Sequence, residues 1–120
     1  MSGPQPIENV DLEGLLAPDP AQPRVRWSAS NQLQTNVVVL GPGEVVEHHV
    51  ERELDVTLVF LTGCAVLAHG SSAQLTPATV TAPDVMVLQA GTHRSMTAGA
   101  DGAAYLTAHR RRPSLLPTVR

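Results

Sequence analysis

The chain has 120 residues, of which 42% are hydrophobic and only 2% aromatic. That size and composition suit a single domain with one core, built mainly from Val, Leu and Ala. A formal net charge of -3 and a pI near 5.9 give no reason to expect binding to nucleic acid or to an acidic membrane surface. The sequence shows no signal-peptide pattern and no apolar run long enough to span a bilayer, and Cys64 is its only cysteine. We therefore expect a cytoplasmic protein without an internal disulfide.

The first 24 residues predict an N-terminal arm. Five prolines, at positions 4, 6, 18, 20 and 23, surround a stretch from Ile7 to Leu16 that favours a short helix. Asn9 or Asp11 can cap this helix, and three leucines share one of its faces: Leu12, Leu15 and Leu16. Because the prolines keep the helix short, we interpret residues 1–24 as an arm that packs on the body or on a partner subunit.

From residue 25 onward the sequence predicts an all-β domain. Short runs rich in β-formers alternate with Gly- and Pro-containing turn signals, and no long helix interrupts them. The predicted strands are Val25–Ser28, Gln34–Leu40, Val45–Val50, Val56–Leu61, Ala65–His69, Ala73–Leu75, Thr79–Ala82, Val85–Gln89, Arg94–Thr97 and Ala103–His109. Strands in such a series pair antiparallel. We expect an antiparallel jelly-roll β-barrel over residues 25–112, followed by a tail at 113–120.

Two segments place metal-binding residue types within or directly after otherwise apolar strands. The first, from Gly43 to Glu51, reads GEVVEHHVE, and Gly63 ends the following strand. The second, from Pro83 to His93, reads PDVMVLQAGTH, so that a histidine follows a glycine turn at the end of an apolar strand.

These segments resemble the two motifs of the cupin superfamily, over roughly residues 34–109. In the first motif a glycine is followed by five residues, His, any residue, His, three or four residues, Glu, six residues and a glycine. His49 matches the first ligand of that motif, Glu51 stands at the second, and the apolar Val56 stands where the family has glutamate. In the second motif a glycine, two residues and His follow one another, and His93 lies one residue short of that spacing from Gly91.

The resemblance implies a metal site formed by His49, Glu51 and His93. His49 and Glu51 are two residues apart, so on a strand they share one face, and His93 would join them from a neighbouring strand. Two histidines and a carboxylate suit Fe(II) first and Zn second. The hydrophobic alternation points to another register, because Val46, His48 and Val50 form the more apolar face. His48 is therefore the alternate ligand.

Ordinary packing or surface roles are favoured for the other chemically active side chains, namely Cys64, His69, Arg94, Tyr105 and His109.

Two functions fit this pattern, because cupin barrels carry many unrelated activities. One is a metal-dependent enzyme of the oxygenase, isomerase or cyclase type acting on a small organic molecule. The other is a metal-free module that binds a small ligand or serves regulation, a function favoured by Val56 in place of glutamate. The family resemblance also implies a homodimer. Substrate and reaction are left open by the sequence.

Overall fold

The computed structural model describes residues 9–17 and 19–112, so the predicted tail at 113–120 and the first eight residues lie outside the described part. A short helix, α1 (Leu12–Leu15), precedes seven strands. The strands are β1 (Val25–Ser30), β2 (Leu33–Leu40), β3 (Val45–Val50), β4 (Val56–Gly70), β5 (Leu75–Thr81), β6 (Val85–Leu88) and β7 (His93–Arg110). No helix in the described ranges is long and apolar enough to cross a membrane.

The described part of the arm is attached to strand β1. Asp11 caps α1, with its carboxylate accepting a hydrogen bond from the backbone N–H of Glu13 at 3.1 Å. Arg26 on β1 then donates to carbonyl oxygens at 2.9–3.2 Å, those of Leu15, Ala17, Asp19 and Pro23. One guanidinium thus satisfies carbonyl groups that a short, proline-flanked segment cannot pair internally.

The ten predicted strand runs form only seven strands, because three of the predicted breaks lie inside continuous strands. β4 runs through Thr62-Gly63, and β7 runs through the glycine-rich segment 99–102. Gly63 and Gly102 have φ of +76° and +78°, and a Cβ on Gly63 would collide with the carbonyl oxygen of Gly102. The two long strands therefore bend where these glycines meet, and their pairing continues beyond the bend after a register shift between Gly63 and Ala65.

The third strand break that was predicted but is not found in the structure is at Pro77. β5 continues through it, opposite Ala68 of β4. Because β5 lies at the edge of the sheet, a residue without an N–H removes no ladder hydrogen bond on its open side.

All strand pairs are antiparallel, and the bends divide the sheet into two halves. In one half the order is β1, β2, the end of β7, the start of β4 and β6. In the other it is β3, the start of β7, the end of β4 and β5. This is the predicted all-β, antiparallel jelly-roll architecture.

The core lies between the two halves. Phe60, Leu40 and Tyr105 come from one half, and Leu67 and Met96 come from the other. The rings of Phe60 and Tyr105 lie 5.2 Å apart, and burial raises the pKa of Tyr105 to about 12. Tyr105 therefore stays protonated near neutral pH and acts as a core residue. Val56, at the position of the family's glutamate, is 7% exposed and belongs to the same cluster.

Candidate functional site

A β-bulge in strand β3 determines which of its histidines faces the interior. Val46 pairs with Met96 and His49 pairs with Arg94, so three steps along β3 lie opposite two steps along β7. Met96 is a core residue, and Arg94, two residues away on the same strand, lies on the same face. Val46 and His49 are therefore both on the inner face, although they are three residues apart.

On the inner face, Arg94 and His49 form a hydrogen-bonded pair. The Nε of Arg94 donates to Nε2 of His49 at 3.2 Å, and its Nη1 donates to the carbonyl oxygen of Thr92 at 3.3 Å. Nδ1 of His49 lies 2.9 Å from the carbonyl oxygen of Glu47. Because Nε2 accepts, Nδ1 carries the hydrogen and His49 is neutral. The lone pair with which His49 would bind a metal is thus engaged by a guanidinium.

Arg94 is buried without a carboxylate partner among the residues described. It is 7% exposed, and the two ion pairs within 9–17 and 19–112 join Arg24 to Glu44 and Arg112 to Glu51. Burial lowers the pKa of Arg94, but a guanidinium stays protonated in proteins. A positive charge therefore lies on the inner face with only neutral groups as its hydrogen-bond acceptors.

His69 extends this row of polar residues across the sheet. It pairs with Arg94 from the opposite side, on strand β4, so Arg94 lies between His49 and His69. Directly paired residues of antiparallel strands have Cβ atoms about 5 Å apart. The next row inward is apolar, since Leu67 pairs with Met96.

On the outer face, His48 and His93 contact one another. Nε2 of His48 lies 2.9 Å from Nδ1 of His93, and the ring centroids are 5.1 Å apart. His93 pairs with Val50, which shares its face with His48. The two histidines are therefore diagonal neighbours on the side of the sheet opposite to His49.

Glu51 lies in the turn after β3 and has structural partners. Its carboxylate pairs with Arg112 and accepts the backbone N–H of Glu53 at 3.0 Å. Its carbonyl oxygen accepts the N–H of Gly91 at 2.7 Å, which joins this turn to the turn before β7.

The predicted ligands thus contact three different partners: His49 contacts Arg94, Glu51 contacts Arg112, and His93 contacts His48. Within the described ranges, no three His, Cys, Asp or Glu side chains lie in a group able to hold a metal ion. His49 and Val46 lie on the face of Met96, and His48 lies on the opposite face at the bulge. Motif spacing favoured an inward His49 and alternation favoured an inward His48, and the bulge lets Val46 and His49 share one face.

Arg94 is the residue that sequence reasoning undervalued. The family spacing of two residues after Gly91 leads to position 94, where this chain has arginine. The prediction used the nearer histidine, at position 93, as the metal ligand, and His93 lies on the face opposite to Arg94. The motif spacing alone, counted without requiring a histidine at its end, therefore points to Arg94.

Three surface clefts formed by the described residues lie away from Arg94 and His49. One of about 310 Å³ is formed by the arm and the strand ends around Arg24, Arg26 and Glu44. Two others, of about 450 and 420 Å³, adjoin His109 near the end of β7.

No protein-family model matches the sequence, and no curated protein is similar enough to count as a relative. Solved structures do match. An uncharacterized conserved protein with a double-stranded β-helix domain from Klebsiella pneumoniae superposes with a TM-score of 0.71 at 15% identity, over 87% of this chain and 90% of that chain. The cupin domain of Cnp3 from Schizosaccharomyces pombe gives a TM-score of 0.63 at 13% identity, over 72% and 63% of the two chains.

This chain has the cupin fold. The resemblance of its two motifs to the cupin pattern is therefore confirmed at the level of the fold. Oxalate decarboxylase from Bacillus subtilis, another cupin-fold match, has a TM-score of 0.62 at 20% identity, over 68% of this chain and 22% of that chain. Mn(II) centres are described for that enzyme. Identities this low establish shared architecture and leave the chemistry to the residues of each site.

Proposed function

We propose that this chain is a metal-independent cupin-fold binding module that holds a small carboxylate-bearing molecule at Arg94. The observation that carries the proposal is the buried guanidinium of Arg94, which is in no ion pair among the described residues. A buried charge without a counter-charge is costly, and a bound anion would compensate it.

A carboxylate fits the donors that remain. Arg94 uses one N–H on His49 and one on Thr92, and a guanidinium has five. No buried side-chain nitrogen or oxygen within the described ranges lacks a partner, so Nη2 of Arg94, for which no hydrogen bond is found there, is open to solvent or a ligand. Arginine binds carboxylates through two parallel hydrogen bonds.

The same residues do not fit the metal site implied by the family resemblance. The guanidinium of Arg94 occupies the lone pair of His49 and would repel a divalent cation. Val56 supplies no ligand atom, and the carboxylate of Glu51 is paired with Arg112. The metal-dependent enzyme of the first hypothesis stays a prediction.

The proposal is tested by titrating tag-free protein with benzoate, succinate and inorganic phosphate, using calorimetry and thermal unfolding. We expect saturable binding of at least one carboxylate. Arg94→Gln should weaken it by about tenfold or more, because hydrogen bonds to a charged group contribute about 1.5–3 kcal/mol. Arg110→Gln removes an exposed arginine from the same strand and should leave the affinity unchanged.

Two results would overturn the proposal. One is equal anion affinity in the wild type and Arg94→Gln. The other is a stoichiometric metal, found by elemental analysis of protein purified without chelator, that is lost on replacing His49. That second result would restore the metal-dependent hypothesis.

We also propose that the module is a homodimer. Val85 and Val87 on strand β6 are 63% and 62% exposed, and both project from the sheet on the face opposite to the core residues Met86 and Leu88. Neighbouring exposed valines favour burial against another surface. Light scattering should give twice the chain mass of 12.7 kDa at tens of micromolar protein, whereas a monomer mass would contradict this proposal.

A further inference from the structure

The outer face of the β3–β7 pair carries two imidazoles whose nitrogen atoms face each other. Nε2 of His48 and Nδ1 of His93 are 2.9 Å apart, and the ring planes are inclined by 52°. Neither nitrogen contacts the His49–Arg94 pair, which lies on the other side of the sheet. This contact is independent of the proposed carboxylate site.

Strand pairing holds the backbone of His93 in place. His93 begins β7, where it pairs with Val50 on one side and Gly70 on the other. His48 lies within the bulge of β3, between the paired residues Val46 and His49. One ligand of the pair is therefore preorganised by the sheet, which lowers the cost of ordering it on binding.

The separation of the nitrogens matches one class of metal geometry. Imidazole nitrogens coordinate metals at about 2.0–2.1 Å. Two ligands at 90° then have nitrogens about 2.9 Å apart, whereas tetrahedral ligands are about 3.3 Å apart. Imidazoles at right angles are typical of tetragonal Cu(II) and Ni(II) sites.

We propose that His48 and His93 form a two-histidine site for Cu(II) or Ni(II) on the outer face, with water completing the coordination. Rotation of the two rings turns both lone pairs from the line between the nitrogens toward one ion, in place of the hydrogen that they share. Each neutral ring then carries its hydrogen on its other nitrogen. The site lies on the face opposite to the interior site that the cupin motifs predict, and it combines His93 with the alternate ligand His48, without His49 or Glu51.

The test uses tag-free protein freed of metal and titrated with NiCl2 and with CuSO4 by calorimetry. We expect one equivalent to bind. His48→Ala and His93→Ala should each lower the affinity by about tenfold or more, since removing even an indirect supporting contact costs 10–100-fold. His109→Ala, which alters another histidine of β7, should bind like the wild type. The Cu(II) resonance spectrum should show coupling to two nitrogens, and to one after His48→Ala.

Three outcomes would overturn the site. They are no saturable binding by the wild type, unchanged affinity in His48→Ala, and loss of binding in His49→Ala with retention in His48→Ala, which would place the ion inside the barrel. Circular dichroism of each variant shows whether the sheet has formed, and His48 is exposed enough for its replacement to be tolerated. Because Arg94 is not involved, metal binding should persist in Arg94→Gln even where carboxylate binding is lost.

Discussion

The two faces of the β3–β7 pair carry different chemistry within the same few residues. On the inner face His49 accepts a hydrogen bond from the buried Arg94, and on the outer face His48 contacts His93. The residues are consecutive on both strands, so neither composition nor local sequence distinguishes the two environments. The direction in which each side chain leaves the strand, changed here by one bulge, therefore decides whether a histidine contacts the guanidinium of Arg94 or another histidine.

The first prediction removes the difference between the two faces by converting the inner face into a metal site. Arg94→His removes the guanidinium from Nε2 of His49 and places an imidazole between His49 and His69, which both pair with position 94. Three imidazoles can bind Zn or Ni. We expect calorimetry to show one metal equivalent more than the wild type binds, and this extra equivalent should survive the additional change His48→Ala. An unchanged stoichiometry would contradict the assigned inner face.

The second prediction separates stability from binding at the same position. Arg94→Met keeps a long side chain but removes the buried charge, and the acceptors left behind are the neutral His49 and the carbonyl of Thr92. Replacing a buried charge by an apolar group is often neutral or stabilising. We expect urea unfolding to give the same free energy or about 1 kcal/mol more, while carboxylates no longer raise the melting temperature. A loss above about 2 kcal/mol would show that Arg94 has a structural role.

Two neighbouring valines, Val45 and Val46, test which face of β3 points toward the core before the bulge. Val46 packs against the core, whereas Val45 is 41% exposed. Val46→Ala should lower the free energy of unfolding by about 1 kcal/mol, because two partly buried methyl groups are lost. Val45→Ala should change it by less than about 0.5 kcal/mol. Urea denaturation measures both, and the opposite order would mean that the parity of β3 is inverted.

The smallest effect concerns Glu44, just before β3, where an arginine does have a carboxylate partner. The N–H of Gly41 donates to Glu44 at 2.8 Å, and this bond, together with Arg24, holds the pKa of Glu44 below its ordinary value of 4.5. A pKa that folding lowers stabilises the folded state at a pH above the ordinary pKa of the group. This contribution disappears as the pH falls through the pKa of the folded state. Because the Glu44 side chain is 34% exposed, solvent screens its ion pair, and the wild type should exceed Glu44→Gln in stability by only about 0.5 kcal/mol near pH 7.

That difference in the free energy of unfolding should shrink as the pH is lowered past 4.5. Thermal unfolding of both proteins at pH 7, 5 and 3 measures it. A difference that grew with acidity would show that the carboxylate is not the stabilised form.

Much of the architecture was predictable from local sequence. The predicted strand Val45–Val50 has the bounds of β3, and Asp11 is one of the two residues predicted to cap the arm helix. Alternating apolar residues, β-branched side chains and caps act over a few neighbouring positions. The spacing from Gly43 favoured His49 over His48, and in the structure His49 pairs with Arg94.

Other features depended on residues far apart in the chain. Gly63 and Gly102 predict turns when each is considered alone, but their close approach turns two apparent breaks into bends of β4 and β7. Such an approach exists only after the two strands have paired.

The sequence by itself determined the class of fold, most of the strands and the presence of histidines near both motif positions. Only the tertiary structure decided that His49 meets Arg94 while His93 meets His48. The physical reason is that side-chain direction alternates along a strand, so a single extra residue at the bulge reverses it. Whether a bulge forms is decided by the register of β3 against β7, whose paired residues are more than 40 positions apart.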